Sequence, residues 1–145
     1  MIKGLLMDYG GVVVDLNVGH EQAPSSGYTM RHVDPRPGII GLVNRARKRG
    51  LQVGILSNVS SERAAMGRAG GDYQPYDFAV LSPEVGLRKP DPQIYELAAN
   101  KFTGISPHEI LYVDDLARNL TPARRLGMVT LLATDDIVSD LETYL

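Results

Sequence analysis

The stretch IKGLLMDYGG at residues 2–11 joins a short apolar run to a carboxylate and a pair of glycines. An apolar run of this length, followed by turn-forming residues, predicts a buried strand from Ile2 to Met7. Four further short apolar runs along the chain have the same character. They predict strands at residues 51–56, 78–81, 110–113 and 128–132.

Helical patterns separate these predicted strands. In residues 39–49 the apolar side chains fall on one helical face and the basic side chains on the other. The expected caps and stops are Gly50, Ser60 before a helix over about 61–69, Asp91-Pro92, and the capping-box spacing of 106–109. A last helix is expected from Asp135 onward. Strands that alternate with helices predict an α/β fold, a three-layer, doubly wound, Rossmann-like core around a parallel sheet of about five strands.

Length and composition limit the classes of function. The chain has 145 residues, of which 43% are apolar, so we expect one domain over 1–145. Fifteen Lys and Arg against seventeen Asp and Glu argue against broad binding of nucleic acid or anionic membranes. The chain has no Cys, which excludes disulfides and thiolate chemistry. With no long apolar run or leader-like start, a soluble, cytoplasmic protein is the expectation.

Polar residues with chemical potential follow the predicted strands. Asp8 follows the first strand, Ser57-Asn58 the second and Asp114-Asp115 the fourth, and Lys89 lies in the third connection. Each alone is commonly a turn, a cap or a solvated side chain. Parallel sheets, however, bind ligands beyond the carboxyl ends of their strands, so four such features in order favour a site. Clustered carboxylates suit Mg²⁺, and a carboxylate aimed at a phosphate can form an aspartyl-phosphate.

These segments resemble the four motifs of the haloacid dehalogenase (HAD) superfamily, and the resemblance covers nearly the whole chain. The matching stretches are residues 8–13, 54–58, 86–92 and 111–115, with Asn119 five residues beyond Asp114. The resemblance implies a HAD-like core and a Mg²⁺-dependent hydrolase.

The resemblance also implies a role for each matching residue. Asp8 would be the nucleophile and a Mg²⁺ ligand, and Gly10 would offer its backbone carbonyl to the metal. Asp114 would bind Mg²⁺ directly or through water, with Asp115 in support. Asn119 would stand behind these ligands, although a helix cap near Thr121 is an equally good interpretation of it.

The phosphate would be held by a second group of residues. Ser57 would donate a hydrogen bond to a phosphoryl oxygen, Asn58 would shape the loop, and Gly11 would lie in the phosphate-binding turn. Lys89 would hold the nucleophile and neutralise phosphate charge, which makes it a catalytic residue together with Asp8.

One departure from the family pattern affects acid–base chemistry. Phosphatases of this superfamily usually carry a second Asp two residues after the nucleophile, and Gly10 occupies that position here. General acid–base catalysis contributes about 10²–10⁴-fold, so a large loss is expected unless another group substitutes. Asp15, His20 and His32 are candidates, each with a solvated loop position as the plainer interpretation. Good leaving groups, such as acyl phosphates, need the least protonation.

A second departure is the missing cap domain. Residues 16–37 are a loop in place of the helical cap that many relatives insert, so we expect an open site. An open site fits a large phosphorylated substrate, or a homodimer in which the second copy supplies a lid.

Three classes of function come into question for a chain with these motifs. The favoured one is a Mg²⁺-dependent phosphatase for a phosphomonoester or acyl phosphate. The alternative is a catalytically weak or inactive binding or scaffold protein on the same fold, which Gly10 and the missing cap support. Dehalogenation and phosphoryl transfer between sugars are disfavoured, the first by the acidic pair and the second by the absence of an acid–base residue and a cap.

Overall fold

The computed structural model describes residues 1–15 and 33–145. Its strands are β1 (Gly4–Met7), β2 (Gln52–Ser57), β3 (Phe78–Leu81), β4 (Ile110–Asp114) and β5 (Val129–Leu132). They form one sheet in the order β3-β2-β1-β4-β5, and every neighbouring pair is parallel. The predicted α/β fold around five parallel strands is confirmed. Strand β2 lies one residue later than predicted, so that Ser57 ends the strand instead of following it.

Six helices accompany the sheet in the described residues. They are α1 (Ile39–Lys48), α2 (Ser61–Gly70), α3 (Ser82–Val85), α4 (Pro92–Lys101), α5 (Ala117–Leu126) and α6 (Ile137–Glu142). The expected caps are present, since the Ser60 and Asp91 side chains accept hydrogen bonds from the backbone amides of Arg63 and Gln93. The capping box at Ser106 forms as well, around a 3₁₀ turn.

Helix α5 corrects the interpretation of Asn119 as a helix cap. A cap near Thr121 requires a helix that begins there, but α5 begins at Ala117, and Asn119 is its third residue. Pro122 lies inside the helix and obscures the pattern, because proline is a common helix breaker. The side chain of Asn119 is buried and bonds across to β4.

Apolar side chains cover both faces of the sheet at the buried strands β1, β2 and β4, where successive side chains point to opposite faces. Leu5 and Met7 of β1 pack in a cluster with buried residues of α1 and α6, whereas Leu6 packs with residues of α4 and α5. Because these strands are buried on both faces, their sequences are continuous apolar runs instead of an alternation of apolar and polar residues.

The strand order places a topological switch point beside β1. From β1 the chain runs outward to β2 and β3, then crosses to β4 on the opposite side and continues to β5. Met7 is in register with Val113, and the Asp8 amide donates to the Val113 carbonyl at 2.9 Å. Asp8 and Asp114 therefore emerge side by side at the switch point, where open α/β sheets bind their ligands.

The described part of the predicted loop 16–37 begins at Val33. Pro35 forms an isolated bridge with Val14, which ties this segment to the turn after β1. Residues 16–32, which include the candidates His20 and His32, lie outside the described part of the chain. None of the helices in the described ranges is long and apolar enough to cross a membrane.

Candidate active site

The site is built around the buried ammonium group of Lys89. Its Nζ lies 3.1 Å from Oδ1 of Asp8 and 2.8 Å from Oδ2 of Asp114, and it donates to the Leu56 carbonyl at 3.0 Å. The side chain of Lys89 is 1% exposed. A charge buried this deeply requires paired and hydrogen-bonded neighbours, and these three oxygens supply them.

Asn58 fixes the backbone that carries Lys89. Its side-chain amide donates to the Lys89 carbonyl at 2.9 Å, and its Oδ1 accepts the Lys89 amide at 2.9 Å. Asn58 follows β2, whereas Lys89 lies in the connection between β3 and α4. This pair of hydrogen bonds therefore joins two loops at the carboxyl edge of the sheet.

Asp114 is enclosed by hydrogen-bond donors. Its Oδ2 accepts from Lys89 and from the Tyr112 hydroxyl at 2.5 Å, and its Oδ1 accepts the Leu116 amide at 2.9 Å. The Asn119 amide lies 3.3 and 3.2 Å from the two oxygens. Burial by itself would raise the pKa of Asp114, but Lys89 and these hydrogen bonds hold it below its ordinary value.

Asp8 and Asp115 are the carboxylates that line the cleft. Each of the three acidic residues offers an oxygen within 4.8 Å of those of the other two, but Asp114 does not line the cleft. Burial raises the pKa of Asp8 to about 7, opposed by the Lys89 ammonium, and burial also raises the pKa of Asp115. Crowded carboxylates of this kind favour a proton or a cation among them.

Gly11 lies against Asp115 in a backbone conformation that favours glycine. Its φ is +86°, and a Cβ at this position would collide with the Asp115 carboxylate. The turn from Gly10 to Val14 is held by a Gly11 amide bond to the Val14 carbonyl at 2.8 Å. The second glycine thus allows the turn to approach the carboxylate cluster closely.

The predicted site residues gather around one cleft of about 650 Å³. Those that line it are Asp8, Gly10, Ser57, Asn58, Lys89, Asp115 and Asn119. Ser57 is 1% exposed at the end of β2. Gly11 and Asp114 lie directly behind this lining, against Asp115 and Lys89 respectively.

Within residues 1–15 and 33–145, the structure brings no obvious acid–base group to position 10. Asp15 does not line the cleft, and its carboxylate lies 3.9 Å from the Arg36 guanidinium. Among the cleft-lining residues that the structure describes, there is no histidine. Burial raises the pKa of the Tyr9 phenol to about 12, which keeps it protonated.

Two tyrosines behind the site were not anticipated from the sequence. Tyr112 bonds Asp114 from two residues earlier on β4, and strand alternation could have placed both side chains on one face. The Tyr95 hydroxyl donates to the Asn119 carbonyl at 2.6 Å, across 24 residues of sequence. No local pattern signals that second contact.

The family model for haloacid dehalogenase-like hydrolases matches residues 25–127. The chain belongs to this family. Among curated relatives, pig bifunctional epoxide hydrolase 2 is 36% identical over 103 residues, which are 66% of this chain and 18% of that protein. Glyceraldehyde 3-phosphate phosphatase of Methanopyrus kandleri is 29% identical over 113 residues, 77% of this chain and 48% of that protein. This HAD-like chain thus spans half or less of either relative.

Solved structures agree with the HAD-like fold. An uncharacterized protein from Corynebacterium glutamicum superposes with a TM-score of 0.71 at 23% identity, over 99% of this chain and 93% of that one. A HAD family enzyme from Bacteroides thetaiotaomicron, in complex with magnesium and inorganic phosphate, has a TM-score of 0.67 at 20% identity, over 92% and 95% of the two chains. At these identities the likeness concerns the fold.

Proposed function

We propose that this chain is a Mg²⁺-dependent phosphatase that acts through an aspartyl-phosphate on Asp8. The observation that carries the proposal is the position of Lys89, whose ammonium lies between Asp8 and Asp114 at the switch point of the sheet. A carboxylate next to a buried cation, in a cleft that also holds Asp115, is suited to attack a phosphorus atom and to tolerate the charge that develops there.

The donor set fits Mg²⁺. Asp8 and Asp115 supply carboxylate oxygens in the cleft, and the Gly10 carbonyl is the third donor we assign. Hard oxygen ligands of this kind suit Mg²⁺, which keeps several waters and needs few protein ligands. When bound there, Mg²⁺ would neutralise phosphoryl charge and orient the phosphorus for in-line attack.

We assign Asp114 to Lys89 instead of to the metal, which reverses the relative roles that the family resemblance suggested. A carboxylate has about four lone-pair sites. Those of Asp114 already meet donors from Lys89, Tyr112, Leu116 and Asn119. Asp115, by contrast, lies in the cleft. Asp114 thus holds the lysine, and Asp115 takes the place of the primary acidic ligand beside Asp8.

The first step forms a bond between an Asp8 oxygen and phosphorus and breaks the bond to the leaving group, which departs with its electron pair. Lys89, Ser57 and the amides of the Gly11 turn would hold the phosphoryl oxygens. Water then hydrolyses the aspartyl-phosphate, which releases inorganic phosphate and regenerates the Asp8 carboxylate. Because position 10 is glycine, the proposed substrates are phosphorylated compounds with good leaving groups, and an acyl phosphate is the best of these.

The test is phosphate release from acetyl phosphate and from an aryl phosphate, with Mg²⁺ and with EDTA. We expect Mg²⁺-dependent release, faster with acetyl phosphate, that falls by about 10³-fold or more in Asp8→Asn, because the covalent step has no nucleophile. Glu96→Gln, an exposed carboxylate on α4, is the matched control. Release by Asp8→Asn at the wild-type rate would refute the mechanism, and no release from either substrate would favour the binding-protein alternative.

A further inference from the structure

Three arginine side chains surround the cleft that contains Asp8. Arg63 lies on α2, Arg88 directly precedes Lys89, and Arg118 lies on α5. Helix α2 follows β2 and α5 follows β4, and these strands flank β1 on opposite sides. The arginines therefore reach one cleft from separate elements and from both sides, which distinguishes them from the solvated basic face of a single helix.

Lys89 differs from Arg88 and Arg118 in whether its charge is paired with carboxylates of the described chain. Lys89 is buried and committed to two carboxylates. Arg88 and Arg118 are exposed, and neither guanidinium group has a hydrogen bond or ion pair with any residue that the structure describes. Elsewhere in the described chain, arginines commonly pair with carboxylates. Examples are Arg36 with Asp135, Arg45 with Glu142, Arg47 with Asp77 and Arg68 with Glu84.

The amino end of α2 adds to the positive character of the same side. Ser60, which caps this ten-residue helix, lines the cleft together with Arg63 and Arg88. The amino end of a helix carries a partial positive charge, so a guanidinium there strengthens the attraction for an anion. This end of the helix supports the arginines and is not by itself a site.

We propose that the substrate carries a second anionic group besides the transferred phosphate, and that Arg88 and Arg118, with Arg63, bind it at the rim of the cleft. The inference rests on the proposed function, because it places the transferred phosphate at Asp8 and Lys89. The guanidinium groups then face the remainder of the substrate. Their planar, two-pronged donors match a carboxylate or a further phosphate, and their permanent charge favours one.

The experiment compares two non-hydrolysable ligands that differ in one charge. These are 4-carboxybenzylphosphonate and its neutral counterpart 4-carbamoylbenzylphosphonate, and their affinities are measured by calorimetry with Mg²⁺ present. Since an exposed charge pair contributes about 0.2–1 kcal/mol, we expect the wild-type protein to bind the carboxylate about 5-fold more tightly. In the double variant Arg88→Gln/Arg118→Gln this preference disappears, while the affinity for the amide changes by less than about 2-fold.

Arg125→Gln is the matched control, since Arg125 is an exposed residue of α5 that does not line the cleft. It should keep the carboxylate preference. Equal affinities of the two phosphonates for the wild-type protein would overturn the inference. So would an equal loss for both ligands in the double variant, because the arginines would then serve the phosphonate itself. Retained carboxylate preference without turnover of any phosphate would overturn the proposed phosphatase and leave the rim site standing.

Discussion

At the scale of single residues, the site depends on the buried ammonium group of Lys89, whose two carboxylate partners differ in whether they line the cleft. Lys89 contacts Asp8 and Asp114, but only Asp8 also lines the cleft. Asp114 is fully buried and is held by Tyr112 and Asn119 as well. Its neighbour Asp115, by contrast, lines the cleft. These two adjacent acids therefore have different surroundings, and we expect their substitutions to have different effects.

Asp114→Asn should lower the free energy of unfolding by about 3 kcal/mol in EDTA, because it removes the buried ion pair with Lys89 and an amide cannot accept all of the hydrogen bonds that Asp114 accepts from Lys89, Tyr112 and Asn119. Asp115→Asn should change it by less than about 1 kcal/mol, because the side chain is partly exposed. Urea unfolding measures both. Calorimetric titration with Mg²⁺ should show lost affinity in Asp115→Asn. The assignment is wrong if Asp114→Asn is as stable as wild type and Asp115→Asn binds Mg²⁺ normally.

At the scale of elements, close packing of strand β2 depends on a residue without a side chain. Gly54 is buried, and a Cβ there would collide with the ring of Phe78 on β3. That ring in turn packs edge-on against Phe102, with ring centroids 4.9 Å apart. Phe102 also lies 2.8 Å from the Cβ position of Gly4 on β1. Glycines in two strands thus make room for one aromatic pair.

Gly54→Ala should therefore destabilise the protein by about 1–3 kcal/mol, because the Phe78 ring must move out of a packed position. Gly41→Ala provides the matched comparison on α1. Gly41 is exposed in the helix, so the added methyl group should stabilise by about 0.5–1 kcal/mol. Thermal or urea unfolding of the two variants measures the difference. Equal shifts of the same sign would show that the sheet does not need a glycine at position 54.

At the scale of the whole molecule, folding gathers carboxylates that are far apart in the sequence. Oxygens of Asp8, Asp114 and Asp115 lie within 4.8 Å of one another, and Lys89 pairs with the first two, so negative charges outnumber the positive one. The unfolded chain does not bring these groups together. A divalent cation that binds the cluster must therefore stabilise the folded state.

Mg²⁺ should raise the unfolding temperature, with a stabilisation of about 2.7 kcal/mol at a hundredfold excess over its Kd. NaCl at the same ionic strength controls for general screening of charge. Differential scanning calorimetry of the wild type and Asp115→Asn provides the measurement, and the variant should lose most of the shift. An equal rise with NaCl, or an undiminished Mg²⁺ shift in the variant, would contradict a metal site at this cluster.

Several features were predictable because they depend on neighbours in the sequence. The buried strands show as apolar runs, and the caps at Ser60 and Asp91 follow from side chains that bond amides two or three residues away. Helix α5 was harder to predict because Pro122 interrupts its pattern. The helix forms around the buried Asn119, Leu120 and Ala123, whose packing against the sheet is a tertiary effect.

The sequence by itself determined that the chain is α/β and that polar residues end its strands, because strand periodicity and turn chemistry are local properties. Only the tertiary structure decided which carboxylate holds Lys89 and which lines the cleft. The contact between Lys89 and Asp114 spans 25 residues, and its geometry depends on how the loops pack over β1 and β4. The grouping of Arg63, Arg88 and Arg118 also depends on the tertiary structure, since the cleft that they line exists only once α2 and α5 are docked on the sheet.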